Sequence, residues 1–151
     1  MKTTSKIIFV ILLITSACSC MSSGLDKLPT YSDAEITNIK FEYRWWNNNQ
    51  MQVQELITTL TIDKGINTIE CNIRVPDANA VFTPEIRSKV DLTNISCIAD
   101  LSTAAKLSPL DGAPKLGIPS DYSDRNFKFR VTAADNNTSK TWTLQINQFE
   151  K

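Results

Sequence analysis

The most suggestive side chains for ligand binding stand in the run Trp45-Trp46-Asn47-Asn48-Asn49-Gln50. Sugars bind to proteins by stacking their C–H faces on aromatic rings and by hydrogen bonding to amide side chains. Strand alternation sends Trp45 inward, so that Trp46 faces outward beside the amides. The functional interpretation is a glycan contact formed by Trp46, Asn47, Asn48 and Asn49. The simpler interpretation, which the turn-forming character of asparagine favours, is that Trp46 lies at a sheet rim and the asparagines form a hairpin turn.

Two further residues with reactive side chains, Cys71 and Cys97, occupy inward positions of two predicted strands. Export from the cytoplasm would permit a disulfide between Cys71 and Cys97. The alternative is a pair of free buried thiols that pack as small hydrophobic groups. Because two cysteines without histidine fall short of the usual zinc ligand sets, we expect no metal ion.

The chain contains no histidine, which limits the enzymatic chemistry available to it. Serine and cysteine nucleophiles paired with histidine, and HExxH zinc sites, are excluded. A glycosidase needs two carboxylates across a cleft, and the scattered acidic residues do not single out a pair. We place Asp121 and Asp124 in turns. We therefore expect no catalytic residue and no cofactor. The 16 basic and 16 acidic groups also argue against nucleic-acid binding.

The N-terminal residues have the layout of a secretory signal peptide. Lys2 and Lys6 provide a positive start, residues 7–14 form an unbroken apolar run, and small residues follow up to Ala17. The apolar run is shorter than the roughly 20 residues that a membrane-spanning helix needs. The sequence therefore predicts a cleaved signal peptide over residues 1–17.

The motif Thr15-Ser16-Ala17-Cys18 resembles the bacterial lipobox, in which the cysteine receives a diacylglycerol and becomes the mature N-terminus. Cys18 is the preferred lipid attachment site because alanine precedes it, and Cys20 is the second choice. Attached acyl chains would hold the protein on a membrane through the burial of their methylenes. Residues 18–33 are small and polar, which predicts a tether between the lipid and a folded domain over residues 34–151.

From Ala34 onward the apolar residues alternate with polar ones, which is the period of half-buried strands. Residues 52–63 form one such run, in which a bulge near Gln54 and Glu55 is expected. Phe129, Trp142 and their alternate neighbours lie on either side of a polar turn. The pattern predicts an all-β fold, an antiparallel β-sandwich of about seven strands.

The same stretch contains a set of short motifs, namely Ala34 to Phe41, Asp91-Leu92-Thr93, Ala105-Lys106-Leu107, Pro109, Gly112, Asp121-Tyr122-Ser123, Phe129 to Asp135, and Lys140 to Ile146. In these motifs it resembles the immunoglobulin-like β-sandwich modules of Bacteroidetes lipoproteins, many of which are domains of unknown function. The resemblance implies an immunoglobulin-like topology but little about function, because one sandwich serves many roles. Asn136 and Asn137 stand where those modules usually have glycine, and asparagine also tolerates the left-handed conformation.

These observations together predict a non-catalytic protein that is lipid-anchored to the outer membrane of a bacterial envelope. Its expected role is a binding or assembly module for polysaccharide or for another envelope protein. The alternative is a structural spacer or subunit that pairs through an exposed strand edge. A hydrolase is the third hypothesis. The sequence does not indicate whether the anchored domain faces the periplasm or the cell surface.

Overall fold

The computed structural model describes residues 31–151, which contain nine strands and one short α-helix. Helix α1 (Pro84–Ser88) and a 3-10 helix (Leu92–Asn94) lie between the fourth and fifth strands. The strands are β1 (Ile36–Asn47), β2 (Gln50–Glu55), β3 (Ile57–Asp63), β4 (Thr68–Arg74), β5 (Ile95–Leu101), β6 (Lys106–Leu110), β7 (Pro119–Ser120), β8 (Asn126–Thr132) and β9 (Ser139–Glu150).

The strands form two sheets, as predicted for an all-β sandwich. The four-stranded sheet has the order β2-β1-β5-β7, and the five-stranded sheet has the order β3-β4-β9-β8-β6. The inward side chains of both sheets belong to a single hydrophobic cluster. Each sheet therefore has one face on the core and one face toward solvent, which explains the period of two in the sequence.

The expectation of a purely antiparallel sandwich is wrong at one position, since β4 and β9 pair in parallel. Parallel neighbours require a long connection, and here four strands and both helices intervene between the two. Alternation within a strand does not report the direction of its neighbour. The described residues also contain more strands than the seven or so expected, because one predicted run is divided and the two-residue β7 was not recognised.

The predicted run over residues 52–63 is divided at Leu56, close to the bulge expected at Gln54 and Glu55. Leu56 is buried, and its backbone N–H donates to the carbonyl of Phe41 at 2.8 Å. The residues before Leu56 pair with β1, whereas those after it pair with β4 in the other sheet. Leu56 is thus the point at which the chain crosses between the two sheets.

The core contains the inward faces that alternation predicts. Phe129 lies directly opposite Trp142 on the β8–β9 hairpin, and both are buried together with Val131 and Leu144. The indole N–H of Trp142 donates to the carbonyl of Ala34 at 3.0 Å, which ties the start of the domain to β9. The predicted single core of these β8 and β9 residues is confirmed. Phe82, Val90, Leu92 and Tyr122 are also buried, and alternation did not predict them because they lie outside alternating runs.

The start of the described chain is hydrogen-bonded to the sandwich. The Ser102 hydroxyl donates to the carbonyl of Asp33, the final residue of the predicted tether. The Glu35 carboxylate forms ion pairs with Lys64 and Lys140. The hydrogen bond from Lys64 is the main reason why the pKa of Glu35 is lowered from its ordinary value. These contacts fix the point at which the preceding chain leaves the domain.

Candidate functional site

The hairpin at the end of β1 determines where the predicted ligand-binding residues lie. Trp46 faces outward with 69% of its surface exposed, whereas Trp45 is half-buried on the inner face. Asn48 and Asn49 have φ angles of 46° and 62°, as the two central residues of a type I′ turn require. The turn interpretation is therefore correct for Asn48 and Asn49, while Asn47 is the last residue of β1.

Three aromatic rings pack in a continuous row on the inner side of this hairpin, and two of them, Tyr43 and Trp45, form one wall of a cleft. The rings of Tyr43 and Trp45 are stacked, with centroids 6.0 Å apart and planes at 19°. The ring of Phe82 packs against Trp45 at a centroid distance of 5.7 Å. Phe82 comes from the loop before α1, so this loop is held against the end of β1 by aromatic packing.

The same loop forms the opposite wall, and local hydrogen bonds give it a fixed shape. The side-chain carbonyl of Asn79 accepts from the backbone N–H groups of Val81 and Phe82, both at 2.9 Å. Thr83 caps α1 by accepting from the N–H of Ile86 at 3.4 Å. The sequence Thr83-Pro84 is a helix-start signal that could have located this element.

The two walls enclose a cleft of about 420 Å³. It brings together Trp46 and Asn47 but neither Asn48 nor Asn49, so the cleft contains half of the predicted contact set. Sequence reasoning missed the lining residues that lie across the cleft or deeper along β1. These are Tyr43, Trp45, Ala80, Val81, Thr83, Ile86 and Lys89.

The cleft is lined by aromatic, aliphatic and polar side chains. It offers an exposed indole plate, the Asn47 amide, the Thr83 hydroxyl and the Lys89 ammonium, which is 3.0 Å from Glu85. Within the described part of the chain, no residue that lines the cleft carries a carboxyl group. The pair of carboxylates on which most glycosidases depend is therefore not found among these lining residues.

Asp111 and Asp124 line a separate depression of about 330 Å³, beside Lys128. The Lys128 ammonium pairs with Asp111 at 3.5 Å. Asp121 accepts from the backbone N–H of Ser123, as expected for a turn residue. Over residues 31–151 there is no group of three or more cysteine, aspartate or glutamate side chains placed to hold a metal ion.

The sequence of the sandwich matches a known family. A family model described as DUF5018-related matches residues 36–145, from the start of β1 into β9. The chain belongs to the DUF5018-related family. This is a domain of unknown function, as the resemblance implied. No curated protein matches the chain.

A solved structure shows the same fold as this DUF5018-related domain. It is the crystal structure of a protein from Bacteroides fragilis that is inferred to be secreted. The two proteins share 35% sequence identity and superpose with a TM-score of 0.75. The match covers 82% of this chain and the whole of the other. An all-β sandwich is therefore common to both proteins.

The two cysteines of the DUF5018-related sandwich are both buried, and both are free thiols. The structure therefore has the pair of free buried thiols and no disulfide between Cys71 and Cys97. Cys71 lies on β4 and Cys97 on β5, in different sheets. Burial raises the pKa of Cys71 to about 12, and burial likewise raises the pKa of Cys97 well above its ordinary value. Neither thiol is therefore activated as a nucleophile at neutral pH.

The proposed lipid attachment sites, Cys18 and Cys20, lie outside the described residues, as does the predicted signal peptide over residues 1–17. Most of the tether over residues 18–33 also lies outside them. Among residues 31–151, no helix is both long enough and apolar enough to cross a membrane.

Proposed function

We propose that this protein is a non-catalytic binding module of the bacterial envelope, and that it binds a polysaccharide at the cleft beside Trp46. The observation that carries the proposal is the exposed indole of Trp46 at the rim of a cleft whose inner wall is aromatic. Such exposure is unusual, because tryptophan side chains in folded proteins normally have most of their surface buried. A sugar ring that stacks on this indole would cover its apolar face.

The remaining groups of the cleft suit a polyhydroxylated ligand. The Asn47 amide can both donate and accept hydrogen bonds, the Thr83 hydroxyl can do the same, and Lys89 can donate. Stacking would supply the affinity of the complex, and the polar groups would orient the hydroxyls of the sugar. The rigid hairpin and the capped helix hold the two sides in place before the ligand arrives, which reduces the entropy cost of binding.

Affinity electrophoresis in gels that contain soluble xylan, mannan or pullulan tests this proposal. We expect at least one polysaccharide to retard the protein, and we expect Trp46→Ala to abolish that retardation. Ile66→Ala is the matched control, because Ile66 is 70% exposed in the β3–β4 turn and lies outside the cleft. Equal retardation of Trp46→Ala and the wild type would refute the site. No retardation in any gel would refute the function.

We also propose that the domain is immunoglobulin-like and is anchored to the outer membrane by lipid at Cys18. The support is the lipobox-like sequence, the two-sheet architecture and the similarity to a Bacteroides protein inferred to be secreted. Metabolic labelling with an alkyne fatty acid tests the anchor. Label should be lost in Cys18→Ser and kept in Cys20→Ser. The reverse result would move the anchor to Cys20, and label in neither the wild type nor the variants would refute lipidation.

A further inference from the structure

The two sides of the sandwich differ in how their edge strands are protected. On one side, edge strand β6 contains Lys106 and Pro109, and edge strand β7 has two residues, the first of which is Pro119. Lysine, proline and shortness are the usual devices that prevent a sheet edge from pairing with another chain. On the other side, β2 and β3 contain neither lysine nor proline and have six and seven residues. This side is the open edge of the described domain.

The hydrogen bonding of β1 with β2 determines which backbone groups of β2 are available for a new strand. The N–H of Leu56 donates to Phe41, so this pair is a hydrogen-bonded one. Hydrogen-bonded positions alternate along an antiparallel pair, and therefore Gln52 and Gln54 also direct their backbone groups toward β1. The groups that point away from β1, toward the open edge, are those of Met51, Val53 and Glu55.

The pattern of apolar and amide side chains along β2 is symmetric about Gln52. Residues 50–54 read Gln-Met-Gln-Val-Gln, so apolar and amide side chains occupy the same positions in both directions. Met51 and Val53 share the outer face of the sheet and are 50% and 52% exposed. Trp46 lies directly opposite Met51 on β1 and extends the same exposed apolar surface.

We propose that the protein forms a symmetric homodimer in which β2 pairs with β2 of a second copy, antiparallel and centred on Gln52. In this register Met51 of each copy lies opposite Val53 of the other, and both of their outward backbone groups are satisfied. Every apolar side chain meets an apolar one, and every glutamine meets a glutamine. Glu55 lies beyond the paired residues at each end, which keeps the two carboxylates apart.

The two nearest competing registers are less favourable. A shift of two residues in one direction would place Met51 opposite Glu55 of the second copy, so that a carboxylate would meet a thioether side chain. A shift in the other direction would place Val53 opposite Asn49, which lies in the turn and outside β2. The register centred on Gln52 avoids both contacts. It joins two four-stranded sheets into one continuous sheet and covers the edge strand β2 of both copies.

Cross-linking through an introduced cysteine tests the register. Gln52 meets itself across the two-fold axis at a non-hydrogen-bonded position, where Cα atoms are about 4.5 Å apart, within the range that a disulfide bridges. In the full chain with Cys18→Ser and Cys20→Ser, mild oxidation of Gln52→Cys should give a covalent dimer. Ser108→Cys on the protected edge β6 is the matched control and should stay monomeric. Cross-linking of Val53→Cys or Ser108→Cys in place of Gln52→Cys would overturn the proposal.

Sedimentation analysis of Val53→Pro provides a second and independent test. Proline removes an N–H that points outward and is tolerated at such an edge position, so the β1–β2 pairing should persist. Two intermolecular hydrogen bonds are lost by symmetry, and the dimer dissociation constant should rise about tenfold or more. An unchanged far-ultraviolet circular dichroism spectrum would establish that the variant is folded. A wild type that is monomeric at all concentrations, or a folded Val53→Pro that dimerises as the wild type does, would overturn the proposal.

Discussion

Replacement of Trp142 by alanine should be among the most destabilising single changes in the sandwich. Trp142 is fully buried, lies opposite Phe129 and donates its indole N–H to the buried Ala34 at 3.0 Å. Loss of so large a buried ring, with the cavity that remains, typically costs about 3–5 kcal/mol. The carbonyl of Ala34 would also lose its hydrogen bond, which places the expected cost toward the upper end of that range.

Urea unfolding followed by far-ultraviolet circular dichroism measures this cost without relying on the fluorescence of the removed residue. With an m-value of about 2 kcal/mol per molar urea, a loss of about 4 kcal/mol lowers the midpoint by about 2 M. Trp142→Phe should fall between the wild type and Trp142→Ala, because phenylalanine fills much of the space but cannot donate to Ala34.

Arg130→Ala is the matched control for this experiment. Arg130 lies next to Phe129 on β8 but faces solvent, so its removal should change stability by less than about 0.5 kcal/mol. A larger loss of stability in Arg130→Ala than in Trp142→Ala would mean that the two faces of the hairpin are exchanged. The register of β8 with β9, and the core built on it, would then be wrong.

Three other outcomes follow from the environments of individual side chains. In variants that retain one tryptophan, iodide should quench Trp46 strongly and Trp142 hardly at all, and equal protection would place Trp46 in an interface. Cys71 and Cys97 should resist a thiol reagent in the native protein and react, without prior reduction, once urea unfolds it; a requirement for reduction would reveal a disulfide. The pKa of Glu35 is lower in the folded protein than its unfolded value of 4.5. The contribution of its ion pairs to folding stability is therefore complete above pH 4.5 and is lost as the pH falls through the folded pKa. The stability difference between wild type and Glu35→Gln, under about 1 kcal/mol at pH 7, should therefore vanish in acid, and a difference that persists would contradict the ion pairs.

Part of the candidate site could be predicted from the sequence because it depends on one strand. The exposure of Trp46 and the half-burial of Trp45 follow from alternation along β1, whose side chains point to opposite faces in turn. The separation of Asn47 from Asn48 and Asn49 depends instead on where the hairpin turns. The wall formed by Val81 and its neighbours could not be predicted, because that loop is brought to β1 by packing of Phe82 on Trp45.

Because alternation and composition are local properties, the amino-acid sequence alone predicted the all-β class, the inward faces of the strands and the exclusion of histidine chemistry. The three-dimensional packing was needed to show that the chain changes sheet at Leu56 and that β4 lies parallel to β9. It also decided that β2 and β3, which contain neither lysine nor proline, lie at sheet edges, because alternation along a strand does not identify its neighbours. Which strands pair depends on long-range packing of strands that are already amphipathic. A strand with one apolar face can pack favourably beside several different neighbours, so its own sequence does not identify the one that it has.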